Sequence, residues 1–392
     1  MFKRFASAAA FAASLALTMA AQAQETVKIG LILPFSGPFA DAGAQLERGV
    51  NLYIQKHGDT VAGKKIEIIR KDTGGPAPDV AKRLAQELVV RDGVDILAGF
   101  ALTPEALGAA DVATQAKKLM VVMNAATSVV TEKSPYIVRT SVTTPQVNSA
   151  LGTWAAENGI KQAYTLVADY GPGIDAAKAF TAAFEAAGGK VIGADKTPVQ
   201  NPDFSAFVQR VKDANPEAVF VFIPGGAQPA ALGKALAERG LTPPAVKVMG
   251  QGELTHPEAL VSMGDNANGI ITTFHYTLER DDPLNKEYVA GYTAANNGRE
   301  PDLFSIGGYD GMHLIYETLK KTNGDTDGDK LVEAAKGMSW TSPRGPMMID
   351  PETRDVVQTV YIREVQKVGD KLQNVIIKEI PNVKDPLHGA AK

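Results

Sequence analysis

The chain of 392 residues contains no cysteine. That excludes disulfides, thiolate metal sites and a cysteine nucleophile, so packing alone must hold the fold. Nor is there a run of lysine and arginine of the kind that marks nucleic-acid binding. The 40 basic and 44 acidic residues leave a formal charge of −4, and nucleic acid is not an expected partner. The signatures of familiar catalysts are missing as well. There is no GxSxG, HExxH, GxxxxGK[ST] or GxGxxG, and Gly171-Pro172-Gly173 lacks the third glycine. The five histidines, at 57, 256, 275, 313 and 388, are scattered without metal-ligand spacing. The acid pair Asp281-Asp282 stands in a polar turn before Pro283, the setting of a solvated face. We therefore read the chain as a binder and not an enzyme, with no cofactor and no metal. Beyond residue 23 no stretch reaches membrane-spanning length without charge, so the protein is not expected to insert into a membrane itself.

What is present begins with Lys3 and Arg4, an apolar run over 5–19 and the small-residue pattern Ala21-Gln22-Ala23. This reads as a secretory signal peptide over 1–23. A buried N-terminal helix is the alternative, but nothing before Phe5 could cap it. The mature chain should start at Gln24 and work outside the cytoplasm. Mass spectrometry of the exported protein checks this, and an intact Met1 on cytoplasmic protein would refute it. The remaining length is too great for one core and suits two domains.

Strand-like runs then alternate with helix-like segments. Residues 27–33 are β-rich, 43–56 carry helical spacing at Leu46, Val50, Leu52 and Ile54, and 65–70 are again strand-like. Helix over 78–91, strand over 94–98, helix over 103–117 and strand over 119–123 follow. After the polar, β-branched stretch 139–143 a second series runs through 163–168, 174–187, 190–193, 204–214, 218–223 and 228–239. Later elements fall at 269–274, 285–297 and 303–321, and a β-hairpin is expected around Gly369-Asp370. Apolar strands followed by amphipathic helices predict α/β halves, each a parallel sheet flanked by helices.

Several segments resemble one family. Val27-Lys28-Ile29-Gly30-Leu31-Ile32-Leu33-Pro34-Phe35-Ser36-Gly37-Pro38 is similar to the opening strand and loop of type I periplasmic solute-binding proteins of the branched-chain amino-acid group. Asn124-Ala125-Ala126-Thr127, Asp169-Tyr170-Gly171 and Asp203-Phe204 match further signatures, and the likeness covers about residues 26 to 380. The resemblance implies a two-lobed clamshell with a three-crossing hinge near Thr143, Thr273 and Pro343-Arg344-Gly345-Pro346. Lobe 1 would be 24–142 plus 274–344, and lobe 2 would be 143–273 plus 345–387. It also implies a periplasmic monomer that presents a small-molecule carboxylate to the inner-membrane permease of an ABC importer.

Open parallel sheets bind ligands beyond the carboxyl ends of their strands. The loops there offer Phe39 as an apolar wall, then Phe100 and Thr103 in Gly99-Phe100-Ala101-Leu102-Thr103-Pro104. Helix capping alone explains Thr103, although the free amides of a helix N-terminus also suit an anion. The resemblance assigns Ala125 and Thr127 to the ligand carboxylate and Tyr170 to a lid; a turn tyrosine is the plain alternative. It also implies an acid against the ammonium of amino-acid ligands, and Glu253 and Gln251 compete for that place. With Gln251 there, a buried ammonium would lack a counter-charge, and an amine-free carboxylate is favoured. Ala42 and Gly225-Gly226-Ala227 stand where amino-acid binders carry bulk. That leaves room for an aromatic ring among Phe39, Phe100, Tyr170 and Phe304, with His275 as a further wall. The expected ligand is a hydrophobic or branched-chain amino acid or a related compound. A benzoate- or hydroxycinnamate-like acid is the alternative, and a ligand-sensing receptor of the same fold is a third reading.

Overall fold

The computed structural model describes residues 25–389, so the expected leader over 1–23 lies outside the described residues. The first lobe opens with β1 (Thr26–Leu33), α1 (Ala40–His57), β2 (Thr60–Val61), β3 (Lys64–Asp72), α2 (Pro78–Glu87) and β4 (Ile96–Gly99). It continues with α3 (Thr103–Ala116), β5 (Met120–Val122) and β6 (Ile137–Arg139). These strands form one sheet in the order β2-β3-β1-β4-β5-β6, parallel except at β2. β1 lies between β3 and β4 with Val27 opposite Ile66 and Ile29 opposite Ile96. Burial on both faces is why its sequence is a nearly unbroken apolar run.

The second lobe starts with α4 (Thr144–Glu157), β7 (Gln162–Ala168), α5 (Gly171–Ala186), β8 (Lys190–Thr197) and α6 (Ser205–Ala214). β9 (Ala218–Phe222), α7 (Gln228–Glu238), β10 (Lys247–Gln251), α8 (Pro257–Met263) and β11 (Ile271–Phe274) complete its α/β series. The chain returns to the first lobe for α9 (Pro283–Ala295), α10 (Leu303–Lys321) and α11 (Gly328–Ala335). Fifteen of the 19 residues of α10 are buried, and this helix runs through the lobe core against α1. The contact is backbone-close: a Cβ on Gly308 would lie 2.0 Å from the carbonyl oxygen of Leu46.

The chain ends in the second lobe with β12 (Ser339–Ser342), β13 (Gly345–Ile349), β14 (Val356–Val368) and β15 (Lys371–Val383). The second sheet has the order β12-β13-β14-β11-β10-β9-β7-β8, with β15 against β14. It is parallel from β8 to β11 and antiparallel beyond. The parallel sheet expected for this lobe is present, and the C-terminal strands extend it with antiparallel pairs, β12 to β15 following one another through short turns of the kind antiparallel neighbours permit. The hairpin around Gly369-Asp370 forms as expected, with Gly369 at φ +62°.

Three passages join the lobes, over 140–143, 275–282 and 336–338. The sequence placed the first two near Thr143 and Thr273. The third differs: Ser342 pairs with Gly345, so residues 339–344, expected with the first lobe, hydrogen-bond into the second sheet. Arg344 still serves the hinge. Its Nε lies 2.8 Å from Asp310 Oδ2 of α10, Nη1 donates to the Ser141 carbonyl at 2.8 Å, and Nη2 donates to that of Thr140. Both charged groups are buried, and each leaves the other uncompensated if removed.

Candidate ligand-binding site

Two of the cavities between the lobes bear on ligand binding. The larger, about 710 Å³, is walled by Gly252 to Asp265 and the β14–β15 turn on one side and by Tyr276 to Glu279 and Glu300 to Leu303 on the other. Charged side chains dominate its rim, among them Asp265, Glu279, Lys367 and Lys371. The smaller lies where the carboxyl ends of β4 and β5 face those of β7, β9 and β10, the position that α/β sheets reserve for ligands. Its walls are aromatic and its polar groups few, as in small-molecule sites generally. The space between them is about 30 Å³, so a six-membered ring enters only as the lobes part.

Phe39 and Phe304 form the first-lobe wall, and Tyr170 and Phe222 the opposite one. The Tyr170 and Phe222 ring centroids are 6.1 Å apart at a 42° tilt. Gly225 sits directly beneath Phe304: a Cβ there would lie 2.9 Å from the ring edge. Ala42 also lines the cavity, so both positions noted for missing bulk face the slot.

One end is built by the loop after β5. The Asn124 side chain donates to the Ala101 carbonyl at 2.7 Å and ties this loop to the one after β4. The Ala125 N–H is taken by the Phe100 carbonyl, and the Thr127 N–H reaches Thr103 Oγ1 at 3.4 Å. The Ala126 N–H has no partner among the described residues, and Ala126 lines the cavity. The Thr127 hydroxyl is buried without a hydrogen-bond partner among the described residues and faces Gly171, whose added Cβ would lie 2.5 Å from it.

Glu253 forms the other end. Gln251 is buried behind it, accepting from Asn148 Nδ2 at 2.7 Å and donating to Glu253 Oε1 at 3.2 Å. Glu253 Oε2 is buried with no hydrogen-bond partner among the described residues. Burial pushes its carboxyl up to about 7, against smaller opposing effects from the backbone, Gln251 and the Arg363 guanidinium. Burial, reinforced by the Glu253 charge, likewise keeps the Tyr170 hydroxyl protonated. Arg363 lies under the turn, where a Cβ on Gly252 would meet Nη2 at 2.7 Å.

Of the residues singled out from sequence, Phe39, Thr103, Ala125, Tyr170, Glu253 and Phe304 line this cavity. Thr127 and Gln251 stand one layer behind it. Phe100 does not line it: with a left-handed backbone, φ +63°, it packs into the core of the first lobe beside Ile32, Ala106 and Val122. His275 is equally remote, buried against Phe274 in the second passage. The expected cap at Thr103 shifts by one residue. Leu102 is the N-cap, and the Glu105 side chain reaches back to its N–H at 3.0 Å. Phe222 and Asn124 were missed as wall residues, although each stands at or just beyond a strand's carboxyl end. The one signal available for Phe222 was that position.

Comparison with known proteins agrees with this architecture. A Leu/Ile/Val-binding protein homolog 6 from Brucella melitensis is 44% identical over 355 residues, covering 90% of this chain and 91% of that protein. A solute-binding protein of an ABC transporter from Rhodopseudomonas palustris BisB5, solved with 3,4-dihydroxybenzoic acid, is 52% identical with a TM-score of 0.89, covering 92% of this chain and 99% of that one. Another from R. palustris HaA2, solved with p-hydroxybenzoic acid, is 41% identical at the same TM-score and coverage. The periplasmic binding protein family model matches residues 26–370. With two α/β lobes, three passages between them and a cleft at the strand ends, the chain belongs to the periplasmic binding protein family.

Proposed function

We propose that this chain is the solute-binding component of an ABC importer and that it captures a hydroxylated aromatic carboxylate of benzoate size. One observation carries the ligand class: a slot walled by Phe39, Phe304, Tyr170 and Phe222, with no bulky side chain at Ala42 or Gly225. A flat ring fits such walls, and burying 150–250 Å² of it is worth roughly 4–6 kcal/mol. The two ends suit a ring with a carboxylate on one side and a hydroxyl on the other. The Ala126 amide meets the carboxylate, and Glu253 Oε2 accepts from the hydroxyl. The aromatic acids held by the two R. palustris proteins support this reading.

A branched-chain amino acid is the second reading, favoured by Glu253 itself, because the unpartnered carboxylate would balance an ammonium. The name of the B. melitensis relative points the same way. In either case the mature protein is a periplasmic monomer that delivers its ligand to a membrane permease. Among the described residues no helix is long and apolar enough to cross a membrane. Titration calorimetry with 4-hydroxybenzoate, benzoate and leucine tests the choice. The order of affinity expected is 4-hydroxybenzoate first, benzoate second and leucine last; binding of leucine alone would overturn the aromatic reading. A sensor would bind alike yet fail to restore uptake in a strain lacking the gene.

Thr127 supplies a further check. Thr127→Val keeps the shape and removes a buried hydroxyl that has no hydrogen-bond partner among the described residues. The unliganded variant should melt at or slightly above the parent temperature, while affinity for the carboxylate falls by about 1.5–3 kcal/mol. Unchanged affinity would remove Thr127 from the carboxylate site.

A further inference from the structure

Arg139 ends β6 at the start of the first passage between lobes and is fully buried. Its guanidinium makes four contacts. Nε donates to Asp355 Oδ1 at 2.6 Å, Nη1 to the carbonyls of Ala125 at 3.1 Å and Thr127 at 2.7 Å, and Nη2 to that of Ser128 at 3.3 Å. Three of the four are carbonyls of the loop that borders the ligand cavity.

A trans peptide is planar, with its C=O and the following N–H pointing in opposite directions. Holding the Ala125 carbonyl therefore turns the Ala126 N–H away from Arg139, and that amide belongs to a residue of the cavity wall and has no partner among the described residues. The same rule applies two residues on. With the Thr127 carbonyl held, the Ser128 N–H points outward and donates to Asp175 Oδ2 of α5, in the opposite lobe, at 3.0 Å. One side chain thus orients two peptide units, one toward the ligand and one across the cleft. Asp355 anchors the arrangement: its Oδ2 accepts from Thr131 Oγ1 at 3.0 Å and lies 3.1 Å from His388 Nδ1. Burial works to raise the Asp355 carboxyl, but the Arg139 charge and the bonds from His388 and Thr131 hold it below its ordinary value.

We propose that Arg139 is a positioning residue for ligand capture, aiming the Ala126 amide at the ligand carboxylate and the Ser128 amide at Asp175 as the lobes close. This rests on the reading of the 124–128 loop as the carboxylate end of the site. Only an arginine serves, since its rigid fork reaches several acceptors at once, whereas a lysine ammonium is a single compact point.

The test uses the full mature chain with Arg139→Lys and, should that variant fail to fold, Asp355→Asn, which keeps the guanidinium but loosens its anchor. Two quantities are read. The first is the ratio of affinities for 4-hydroxybenzoate and 4-hydroxybenzamide, which share the ring and hydroxyl and differ in the carboxylate. The second is amide hydrogen exchange at Ser128 in the unliganded protein. Positioning predicts that the affinity ratio falls at least tenfold and that Ser128 exchanges at least tenfold faster while the melting curve stays cooperative. A merely structural role would weaken both ligands alike, and an unchanged ratio with unchanged exchange overturns the proposal. If the unmutated protein binds neither compound, the aromatic reading fails by itself, and the exchange result alone decides the role of Arg139.

Discussion

Replacing Gly225 with leucine should reduce affinity for an aromatic carboxylate at least about a hundredfold, close to 3 kcal/mol. The cause is steric and local. The first added carbon would stand 2.9 Å from the edge of the Phe304 ring and 3.8 Å from Glu253 Cγ, and the rest of the side chain would fill the space between the aromatic walls. Gly225 does not adopt the left-handed conformation that its neighbour Gly226 does at φ +94°, so leucine takes its backbone without strain. The Phe304 ring must shift to admit the new side chain, and because the slot opens at the cleft the unliganded variant should still melt cooperatively. Calorimetry with 4-hydroxybenzoate, alongside thermal melting of the free protein, measures both. Retained affinity would show that the ring does not lie in this slot.

Glu253→Gln should make the free protein more stable at pH 8 and leave it unchanged near pH 4.5. Burial raises the folded-state value of this carboxyl to about 7 from an ordinary 4.5. A group raised in this way binds its proton more tightly when folded. The stability it confers is complete below the unfolded value and is lost as pH rises through 7, where folding must bury a carboxylate. A displacement of that size is worth on the order of 3 kcal/mol at alkaline pH. Glutamine carries no charge and still accepts the bond from Gln251, so the variant should melt several degrees higher at pH 8. The effect on binding separates the ligand classes. A phenolic hydroxyl still finds an acceptor in glutamine, so 4-hydroxybenzoate should lose no more than about tenfold, in keeping with about 1.5 kcal/mol for a neutral hydrogen bond. An amino-acid ligand would lose the counter-charge of its ammonium, which costs about 2–5 kcal/mol. A melting difference that does not change between pH 4.5 and 8 would show that Glu253 is not buried as a carboxyl.

Several elements were legible because their signals are local. The run at 27–33 alternates with nothing polar enough to break it, and it forms β1 between two parallel neighbours. The helix predicted over 303–321 is observed over those residues, helped by Asp302, whose carboxylate accepts from the N–H groups of Phe304 and Ser305. The helix α4 was not assigned, although Thr143 caps it by accepting from the Gln146 N–H and Val147, Leu151 and Ala155 repeat every four residues on its buried face. Its start follows a β-branched stretch that reads as extended chain. The strands β12 and β13 were missed for another reason: Ser339 to Ser342 has little apolar content, and its place comes from pairing across Pro343-Arg344.

The sequence by itself determined most of the alternation of strands and helices, the two α/β series and the loops in which ligand chemistry must sit, because these follow from hydrophobic period and turn residues that act within a few positions. It also determined that neither thiol chemistry nor a nucleic-acid partner was to be expected. Which member of each loop faces the ligand was decided only in three dimensions. Gln251 and Glu253 are two residues apart and equally polar, yet one is enclosed by Asn148 while the other reaches the cavity. Phe39 and Phe100 are both loop phenylalanines, and a left-handed backbone at residue 100 turns the second into the core. Arg139 carries no motif at all. Its meaning comes from Ala125, Thr127, Ser128 and Asp355, the last more than 200 residues away along the chain, which converge on one guanidinium when the lobes pack. Such choices depend on who the neighbours are, and long-range packing, not local pattern, supplies the neighbours.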